Sequence, residues 1–387
     1  MSSIIQPRLL RRMTVRRVLD LLRENGPSSR AELTRCSGIS APTVSKAVTS
    51  LLEQGLVEES PAPQGSLGRP GTMLRLARDR AQVLGIVLDK DQCTLTAAGL
   101  DGEIRPGETV FVSTPENYDE LIDRLVKEVQ NFTSRSRVRT LGIGMSIPGL
   151  INRRERRAVL SPNLHVTDGQ RPDEDLSRRL KIDCVMYQET QVLCLAERFY
   201  HASEAVDDFA MLEISTGLGL GVFTGGRLLE GHSGLAGELG HITVVPDGRP
   251  CGCGNRGCLE TVATDSALVQ RVSERLKQKV DLQGVQKLLE ENDELTSRDL
   301  ATVSEYVSIA MSAAINLFNP ATLFVHGRLF DVQPGVFERV CELARKRSLG
   351  PSAADCDIRR TRGSKGEGAI AAAIQLVLSA HGPVFEQ

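Results

Sequence analysis

The sequence predicts an α/β protein in which an N-terminal winged helix-turn-helix precedes a body of two similar lobes. Three observations predict this fold class. The first 55 residues hold three short helical segments joined by tight turns. After residue 82, apolar strand-like runs alternate with a helical run, and glycine-rich loops follow the strands. That pattern restarts at Phe209, which indicates a second lobe of similar construction.

Length and composition limit the protein class. At 387 residues the chain is too long for one core and fits two or three domains of roughly 100–200 residues. It is 41% hydrophobic and 25% charged, which is typical of a soluble globular protein. No apolar run approaches the ~20 residues that a membrane span needs. The stretch from Met1 to Arg12 also lacks the apolar core of a signal peptide. We therefore expect a cytoplasmic protein without membrane insertion.

Charge is distributed unevenly along the chain. The net charge is −2, but residues 1–78 carry twelve Lys and Arg against six Asp and Glu, a local balance of +6. The remaining residues therefore carry −8. A small basic module on an acidic body indicates an N-terminal segment that binds a polyanion, and a solvated basic face is the alternative.

Helix signals divide the N-terminal segment into three helices. The first has apolar residues at helical spacing: Val15, Val18, Leu19 and Leu22. Ser28 or Ser29 caps the second helix, which stops at Gly38, and Ser40 caps the third. The tight turn at residues 37–40 makes the last two helices a helix-turn-helix, whose second helix enters the major groove of DNA.

The third helix and a predicted wing supply the candidate DNA contacts. Small hydroxyl groups and one lysine near the start of the helix can bind bases or phosphates: Pro42, Thr43, Ser45, Lys46 and Thr49. Residues 56–59 and 73–76 are predicted as the two strands of the wing. Its tip, residues 65–71, carries Arg69, which suits a narrow minor groove. A three-helix interaction module that does not bind DNA is the alternative.

The body begins with a series of buried strands and one amphipathic helix. The strands are predicted at residues 83–88, 94–100, 110–112 and 141–146. In the second lobe a strand at 209–214 leads into residues 215–222, where glycines alternate. Such a loop lets backbone N–H groups approach an anion closely, and a tight hairpin without a ligand is the alternative.

One cluster of residues indicates a metal site. His241 is followed by Cys251, Cys253 and Cys258. Three thiolates and one imidazole satisfy tetrahedral zinc and leave no open position for a catalytic water, so we expect one structural zinc ion per chain. In a reducing compartment such a cluster indicates metal rather than disulfides. Reduced cysteines without a metal are the alternative. The ion would organise the flanking segments, including Glu260.

These residues resemble the ROK family, named for repressors, open reading frames and kinases. Four segments carry the resemblance: Gly237-Glu238-Leu239-Gly240-His241, residues 251–260, Ser161-Pro162-Asn163-Leu164 and Leu317-Phe318-Asn319-Pro320. It covers the chain from about residue 82 to the end. The N-terminal module, including Gly68-Arg69-Pro70, is similar to the repressor branch, which holds xylose and N-acetylglucosamine repressors. The resemblance implies a two-lobed, actin-like ATPase body of the ribonuclease H-like fold and a homodimer or homotetramer.

The resemblance also implies where a sugar would bind. By position, a sugar or sugar phosphate effector would be surrounded by Gly149, Asn163, Gln188, Glu189, Glu238, His241 and Glu260. His241 would be shared, with one ring nitrogen on zinc and the other close to a sugar hydroxyl. For Glu189, an exposed acid at a helix start is the alternative.

Departures from the family pattern bear on catalysis. Kinase members carry Asp-x-Gly-Gly-Thr where this chain has residues 89–94 without a glycine pair, and Gly-Gly where it has His326-Gly327. The segment that holds the kinase base, Asn-Asp-x-Asn, here reads Gln188-Glu189-Thr190-Gln191. Glu189 would be the base if the chain were a kinase, but a carboxylate displaced by ~1 Å can lose ~100-fold in rate. The pattern therefore indicates a sensor rather than an enzyme.

The sequence thus predicts a sugar-responsive DNA-binding transcriptional regulator, a repressor of carbohydrate-utilisation genes that binds double-stranded operator DNA. An ATP-dependent sugar kinase with a DNA-binding module is the main alternative, and a constitutive DNA-binding protein is a weaker one. The expected domains are a winged helix at 1–80, a first lobe at 81–200 and a second lobe with the zinc loop at 201–366. A C-terminal helix at about 367–382 is expected to return to the first lobe.

Overall fold

The computed structural model describes residues 7–61, 72–135, 138–162, 164–201 and 207–380. Its helices are α1 (Pro7–Asn25), α2 (Arg30–Ser37), α3 (Ala41–Glu53), α4 (Tyr118–Arg135), α5 (Pro172–Leu180), α6 (Glu189–Tyr200), α7 (Asp265–Leu276), α8 (Leu282–Glu290), α9 (Glu294–Phe318), α10 (Val336–Arg347), α11 (Gly350–Asp355) and α12 (Lys365–Ser379). Its strands are β1 (Val57–Ser60), β2 (Met73–Leu76), β3 (Ala81–Val87), β4 (Gln92–Ala98), β5 (Ile104–Ser113), β6 (Arg139–Ile147), β7 (Leu150–Asn152), β8 (Arg157–Leu160), β9 (Cys184–Gln188), β10 (Phe209–Ile214), β11 (Leu218–Thr224), β12 (Arg227–Leu228), β13 (Thr322–His326) and β14 (Asp357–Arg360).

The chain divides into two compact units. The first takes the described residues up to Ile147, Pro172–Tyr187 and the segment from Ala369 onward. The second takes Pro148–Arg171 and Gln188–Gly368. Helix α12 therefore begins in the second unit and continues in the first. The domain boundaries expected at residues 80, 200 and 366 stay predictions.

The N-terminal residues form the predicted winged helix. Of the two candidate caps of α2, Ser29 is the N-cap, and it forms a capping box with Glu32. Gly38 ends α2 in the left-handed conformation (φ +68°), which explains a glycine there. Strands β1 and β2 pair antiparallel as the wing, while its predicted tip with Arg69 lies outside the described residues. The apolar face of the three helices is buried: Val15, Val18, Leu19, Leu22, Leu33, Val44, Val48 and Leu51.

Each of the two larger sheets has five strands, and they share one pattern. The first has the order β5-β4-β3-β6-β9 and the second β12-β11-β10-β13-β14. In both, a three-stranded antiparallel meander continues into a parallel strand, β6 beside β3 and β13 beside β10. This repetition confirms two lobes of similar construction. Strand β5 is longer than the predicted residues 110–112, because pairing with β4 extends it through polar residues.

The glycine-rich segment after β10 is the turn and second strand of a hairpin. The backbone turns at residues 215–217, where the Ser215 N–H donates to the Gly217 carbonyl at 2.9 Å. A Cβ at Gly219 would lie 2.6 Å from Thr190 Cγ2, and one at Gly221 would lie 2.6 Å from Cys194 Sγ. Both glycines therefore allow helix α6 to pack closely on β11, and anion binding at the turn stays a prediction.

Helix α9 is the main apolar helix of the second unit. Among the described residues it is the one helix long and apolar enough to cross a membrane, and 56% of its apolar window is buried inside the protein. The core helix of a globular protein has the same properties. We therefore assign α9 to the core of the second unit, where Val303, Val307, Met311 and Ile315 are fully buried.

Asp265, the first residue of α7, predicts a pH-dependent effect on stability. Burial raises the pKa of its carboxyl from 3.8 to about 6, and the nearby Arg328 offsets this only in part. A raised pKa means that ionisation opposes folding above pH 6, and this cost shrinks as the pH falls through 6 toward 4. Asp265→Asn should therefore increase the free energy of unfolding by about 2 kcal/mol at pH 7.5 and by much less at pH 4.5.

Urea unfolding of both proteins at the two pH values measures this effect. Asp281→Asn is the matched control, because Asp281 is an exposed N-cap that asparagine can replace. An equal gain at both pH values for Asp265→Asn would contradict the assignment.

Candidate functional site

The predicted DNA-contacting residues of α3 lie on its exposed surface. Five exposed residues make up this surface: Pro42, Thr43, Ser45, Lys46 and Thr49. All but Thr43 recur at helical spacing on one face. The opposite face is buried in the module: Val44, Ala47, Val48 and Leu51. Helix α3 therefore presents small polar side chains and one lysine to solvent while its apolar side packs against the module.

The predicted metal ligands come together in space. The ligand atoms of His241, Cys251, Cys253 and Cys258 all lie within 4.8 Å of one another. Cys251 Sγ is 3.6 Å from His241 Nδ1, and the Cys253 and Cys258 sulfurs are 3.8 Å apart. Ligands bound at ~2.0–2.3 Å in a tetrahedron are separated by ~3.5–3.8 Å. The cluster, called the metal cluster below, therefore fits one tetrahedral metal ion.

Backbone contacts shape the loop that carries the three cysteines. The Cys251 N–H donates to the Asn255 carbonyl at 2.8 Å, and the Gly254 N–H donates back to the Cys251 carbonyl at 3.0 Å. Gly257 has φ +68°, and a Cβ there would lie 1.7 Å from the Val245 oxygen. Only glycine fits this position, which explains the glycine directly before Cys258 in the motif.

Glu260 links the metal cluster to the second sheet. Its Oε2 accepts a hydrogen bond from the Leu218 N–H at 3.1 Å, at the start of β11. Its Oε1 lies 3.6 Å from Cys251 Sγ. The side chain thus has a structural role that the sequence motif did not indicate.

Glu238 lies on the imidazole side of the cluster. Gln188 Nε2 donates to Glu238 Oε1 at 3.0 Å, and His241 Nε2 is 3.8 Å from Glu238 Oε2. Burial raises the pKa of the Glu238 carboxyl, and the hydrogen bond from Gln188 offsets this in part. His241 therefore directs Nδ1 to the cysteines and Nε2 to a half-buried acid, as expected for a histidine shared between a metal and a second group.

Glu189 is engaged by a lysine that sequence analysis did not identify. Its Oε1 accepts from Lys365 Nζ, which is also 2.7 Å from Glu213 Oε1. Burial alone would lower the pKa of Lys365, but the two carboxylates outweigh it and raise the pKa. Glu189 and Lys365 are 176 residues apart in the chain, so local patterns could not reveal the contact.

Gly149 and the segment around Asn163 belong to the β7–β8 region. Gly149 has φ +89°, and a Cβ there would lie 2.4 Å from the Leu160 oxygen. Asn163 lies outside the described residues, but Pro162 beside it is close to the metal loop, because a Cβ at Gly252 would lie 2.8 Å from its Cβ. The structure thus places the neighbour of Asn163 next to the metal loop.

A cavity of about 520 Å³ opens beside the metal loop in the second unit. Its lining combines apolar surface with polar side chains, which come from Thr216, Arg249, Cys251, Glu260, Thr261, Thr264, Ser266, Gln270 and Glu274. It shares Glu260 and Cys251 with the groups just described. Because its members come from three separate stretches of the chain, the sequence did not indicate it.

Comparison with known proteins identifies relatives of both parts of the chain. A model of the ROK family matches residues 83–379, and a model of the MarR family matches residues 12–65. The Escherichia coli DNA-binding transcriptional dual regulator NagC is 27% identical over 337 residues, 84% of this chain and 82% of its own length. The xylose repressor of Bacillus subtilis is 27% identical over 336 residues, covering 86% of this chain and 87% of that protein.

A solved structure extends the likeness to the whole fold. A ROK family transcriptional regulator, a homologue of the E. coli MLC protein, matches 96% of this chain and 97% of its own with a TM-score of 0.82 at 24% identity. This confirms the predicted winged helix followed by an actin-like α/β body. Since the family model spans most of the sequence, the chain belongs to the ROK family and carries a MarR-like helix-turn-helix at its N-terminus.

Proposed function

We propose that this protein is a sugar-responsive DNA-binding transcriptional regulator that represses carbohydrate-utilisation genes in the cytoplasm. The proposal rests on one observation: a single chain contains both a DNA-binding type of module and a ROK body. One is a winged helix with an exposed polar face on α3, and the other is a ROK body with acids gathered at the metal cluster. The names of the related proteins, a dual regulator and a xylose repressor, support the same function.

DNA binding is assigned to α3 and to Arg69 of the wing. The exposed residues Pro42, Thr43, Ser45, Lys46 and Thr49 would contact bases and phosphates of operator DNA. A homodimer or homotetramer would present two such helices to half-sites that repeat every ~34 Å along the duplex.

The metal cluster would hold a structural zinc ion. Its four protein ligands complete a tetrahedron, so the ion would stabilise the loop of residues 249–258 rather than activate a substrate. Zinc bound there would also fix the ring of His241 beside Glu238.

The sugar would bind beside this cluster. Vicinal hydroxyls are donors that need several acceptors, and carboxylate oxygens supply them. Glu238, Glu260 and His241 lie at the metal cluster, and Gln188 is bonded to Glu238. We assign Gly149, Asn163 and Glu189 to the same sugar site.

The same geometry opposes the alternative of a sugar kinase. In that case Glu189 would be the base that takes the proton from a sugar hydroxyl. Its carboxylate is instead bonded to the Lys365 ammonium, and this neighbouring positive charge makes it a weaker acceptor for that proton. We therefore propose a sensor without catalytic residues.

Lys46→Ala tests the DNA interface. Loss of one phosphate contact should weaken binding to all duplexes and reduce the slope of log affinity against log salt by about 1. Fluorescence anisotropy at several salt concentrations measures both, using the best-bound duplex from a randomised library and an unrelated duplex. Lys287→Ala is the matched control, an exposed lysine on α8. Equal affinities and slopes for wild type and Lys46→Ala would remove Lys46 from the interface.

Cys253→Ser tests the metal site. Wild-type protein should contain about one zinc per chain, and the variant should lose it together with several kcal/mol, roughly, of stability. Elemental analysis and urea unfolding measure these quantities. Cys341→Ser, at a half-buried cysteine of α10 outside the cluster, should keep the metal. A metal-free, fully stable wild type would refute the zinc assignment.

Glu238→Gln tests the sugar response. The variant should lose the change in duplex affinity that sugar causes, because the amide replaces an acceptor for a hydroxyl. Duplex affinity is measured with and without each of N-acetylglucosamine, its 6-phosphate, glucose and xylose.

Glu294→Gln, at an exposed acid of α9, should respond like wild type. A normal response by Glu238→Gln would place the effector site elsewhere. ATP-dependent phosphorylation of one of these sugars by the wild type would instead favour the kinase.

A further inference from the structure

Helix α12 connects the candidate sugar site to the winged helix. It begins at Lys365 in the second unit, and from Ala369 it belongs to the first unit. The contacts at its two ends are made within these separate units, and the helix itself joins them.

The start of α12 is attached to α6 at two points. Lys365 Nζ bridges Glu189, the first residue of α6, and Glu213 near the end of β10. Two turns further along α6, Glu197 Oε1 accepts from the backbone N–H groups of Arg362 and Gly363 at 2.8 and 3.0 Å. Any displacement of the start of α6 is therefore passed to the segment that leads into α12.

Close backbone contact strengthens this attachment. A Cβ at Gly368 would lie 2.0 Å from the Val192 oxygen of α6, and one at Gly363 would lie 2.7 Å from Ala196 Cβ. With no side chain between them, the two segments have little room to move independently.

The middle of α12 packs on the first sheet in the same way. A Cβ at Gly144 of β6 would lie 2.0 Å from the Ala369 oxygen, and one at Gly85 of β3 would lie 3.1 Å from Ile370. The helix therefore packs closely on both strands, with no side chain of Gly144 or Gly85 between them.

The far end of α12 lies beside the end of the DNA-contacting helix. Leu376, Val377 and Ala380 line a cavity of about 230 Å³ together with Gln54 and Leu56. Gln54 is the C-cap of α3, and Leu56, which is 2% exposed, leads into the wing strand β1. This cavity leaves room for a small shift of the end of α12 against the end of α3.

We infer that Lys365 is the positioning residue of the sugar site and that α12 transmits sugar binding to α3. The inference rests on the proposed function. A sugar hydroxyl that bonds Glu189 shares this carboxylate with Lys365 and so alters the contact that holds the start of α12. The sugar then binds with different affinity to the two positions of the helix, which is the condition for it to shift their populations.

The first test removes the ammonium group. In Lys365→Met the ratio of duplex affinities with and without sugar should fall at least about tenfold toward unity. Lys365→Arg keeps the positive charge and should retain part of the wild-type response. Lys346→Met, at an exposed lysine of α10, is the matched control and should respond like wild type. The sugars are those of the panel above, and the duplex is the one selected from the randomised library.

The second test acts at the far end and leaves the sugar site intact. In Ala380→Phe the ring enters the 230 Å³ cavity, so sugar affinity by calorimetry should stay within about twofold while the duplex response falls at least about fivefold. Ser379→Phe places the same ring on an exposed neighbouring position that does not line the cavity. This variant keeps the inference testable if Lys365→Met does not fold.

The outcomes separate the inference from the proposed function. If no sugar of the panel changes the duplex affinity of the wild-type protein, the proposed function is overturned and the inference with it. A wild type that responds, together with Lys365→Met or Ala380→Phe variants that respond equally, overturns the inference alone. Loss of sugar affinity in Ala380→Phe would also overturn it, since the effect would then arise at the sugar site.

Discussion

The ion-pair bridge at Lys365 is the interaction on which the arrangement of the second unit depends. The half-buried Lys365 lies between the carboxylates of Glu189 and Glu213, and the three residues come from three separate parts of the chain. Removing one member of a buried ion pair typically costs about 3–5 kcal/mol, because the other charge is left without a partner. The bridge therefore holds the start of α6, strand β10 and the start of α12 together. The hydrogen bonds to Glu197 attach the same segments a second time.

Two acids at the metal cluster, Glu260 and Glu238, are held in place by hydrogen bonds and still have acceptor sites to offer. Glu260 holds the first amide of β11, and Glu238 is held by Gln188, so both acids have fixed positions before any ligand arrives. A carboxylate offers about four acceptor sites, and these contacts use only some of them. The remaining lone pairs are the groups that a sugar hydroxyl would use. Fixing acceptors in advance lowers the entropy lost when a ligand binds.

Local signals predicted the elements that depend on neighbouring residues, and missed contacts between distant ones. The helices of the winged module followed from apolar spacing and caps, and Ser29 and Gly38 take the expected roles. The metal cluster followed from spacing because its loop is short. The close packing of α6 on Gly219 and Gly221 was not predicted, since that helix precedes them in the chain and no local pattern shows the contact. Lys365 was missed for the same reason.

The link between the winged helix and the first sheet is short and hydrogen-bonded, which determines how a signal can reach DNA. Only residues 77–80 separate β2 from β3. The Leu100 N–H donates to the Ala77 carbonyl at 2.8 Å, and the buried Glu58 accepts from Arg75 and from the Asp79 N–H at 2.8 and 3.1 Å. Such a link transmits displacement rather than absorbing it as a flexible tether does. A shift of α12 at the end of α3 therefore acts against a module whose wing is anchored. Under the inference above, we expect this shift to move α3, the helix that the proposed function places in the major groove.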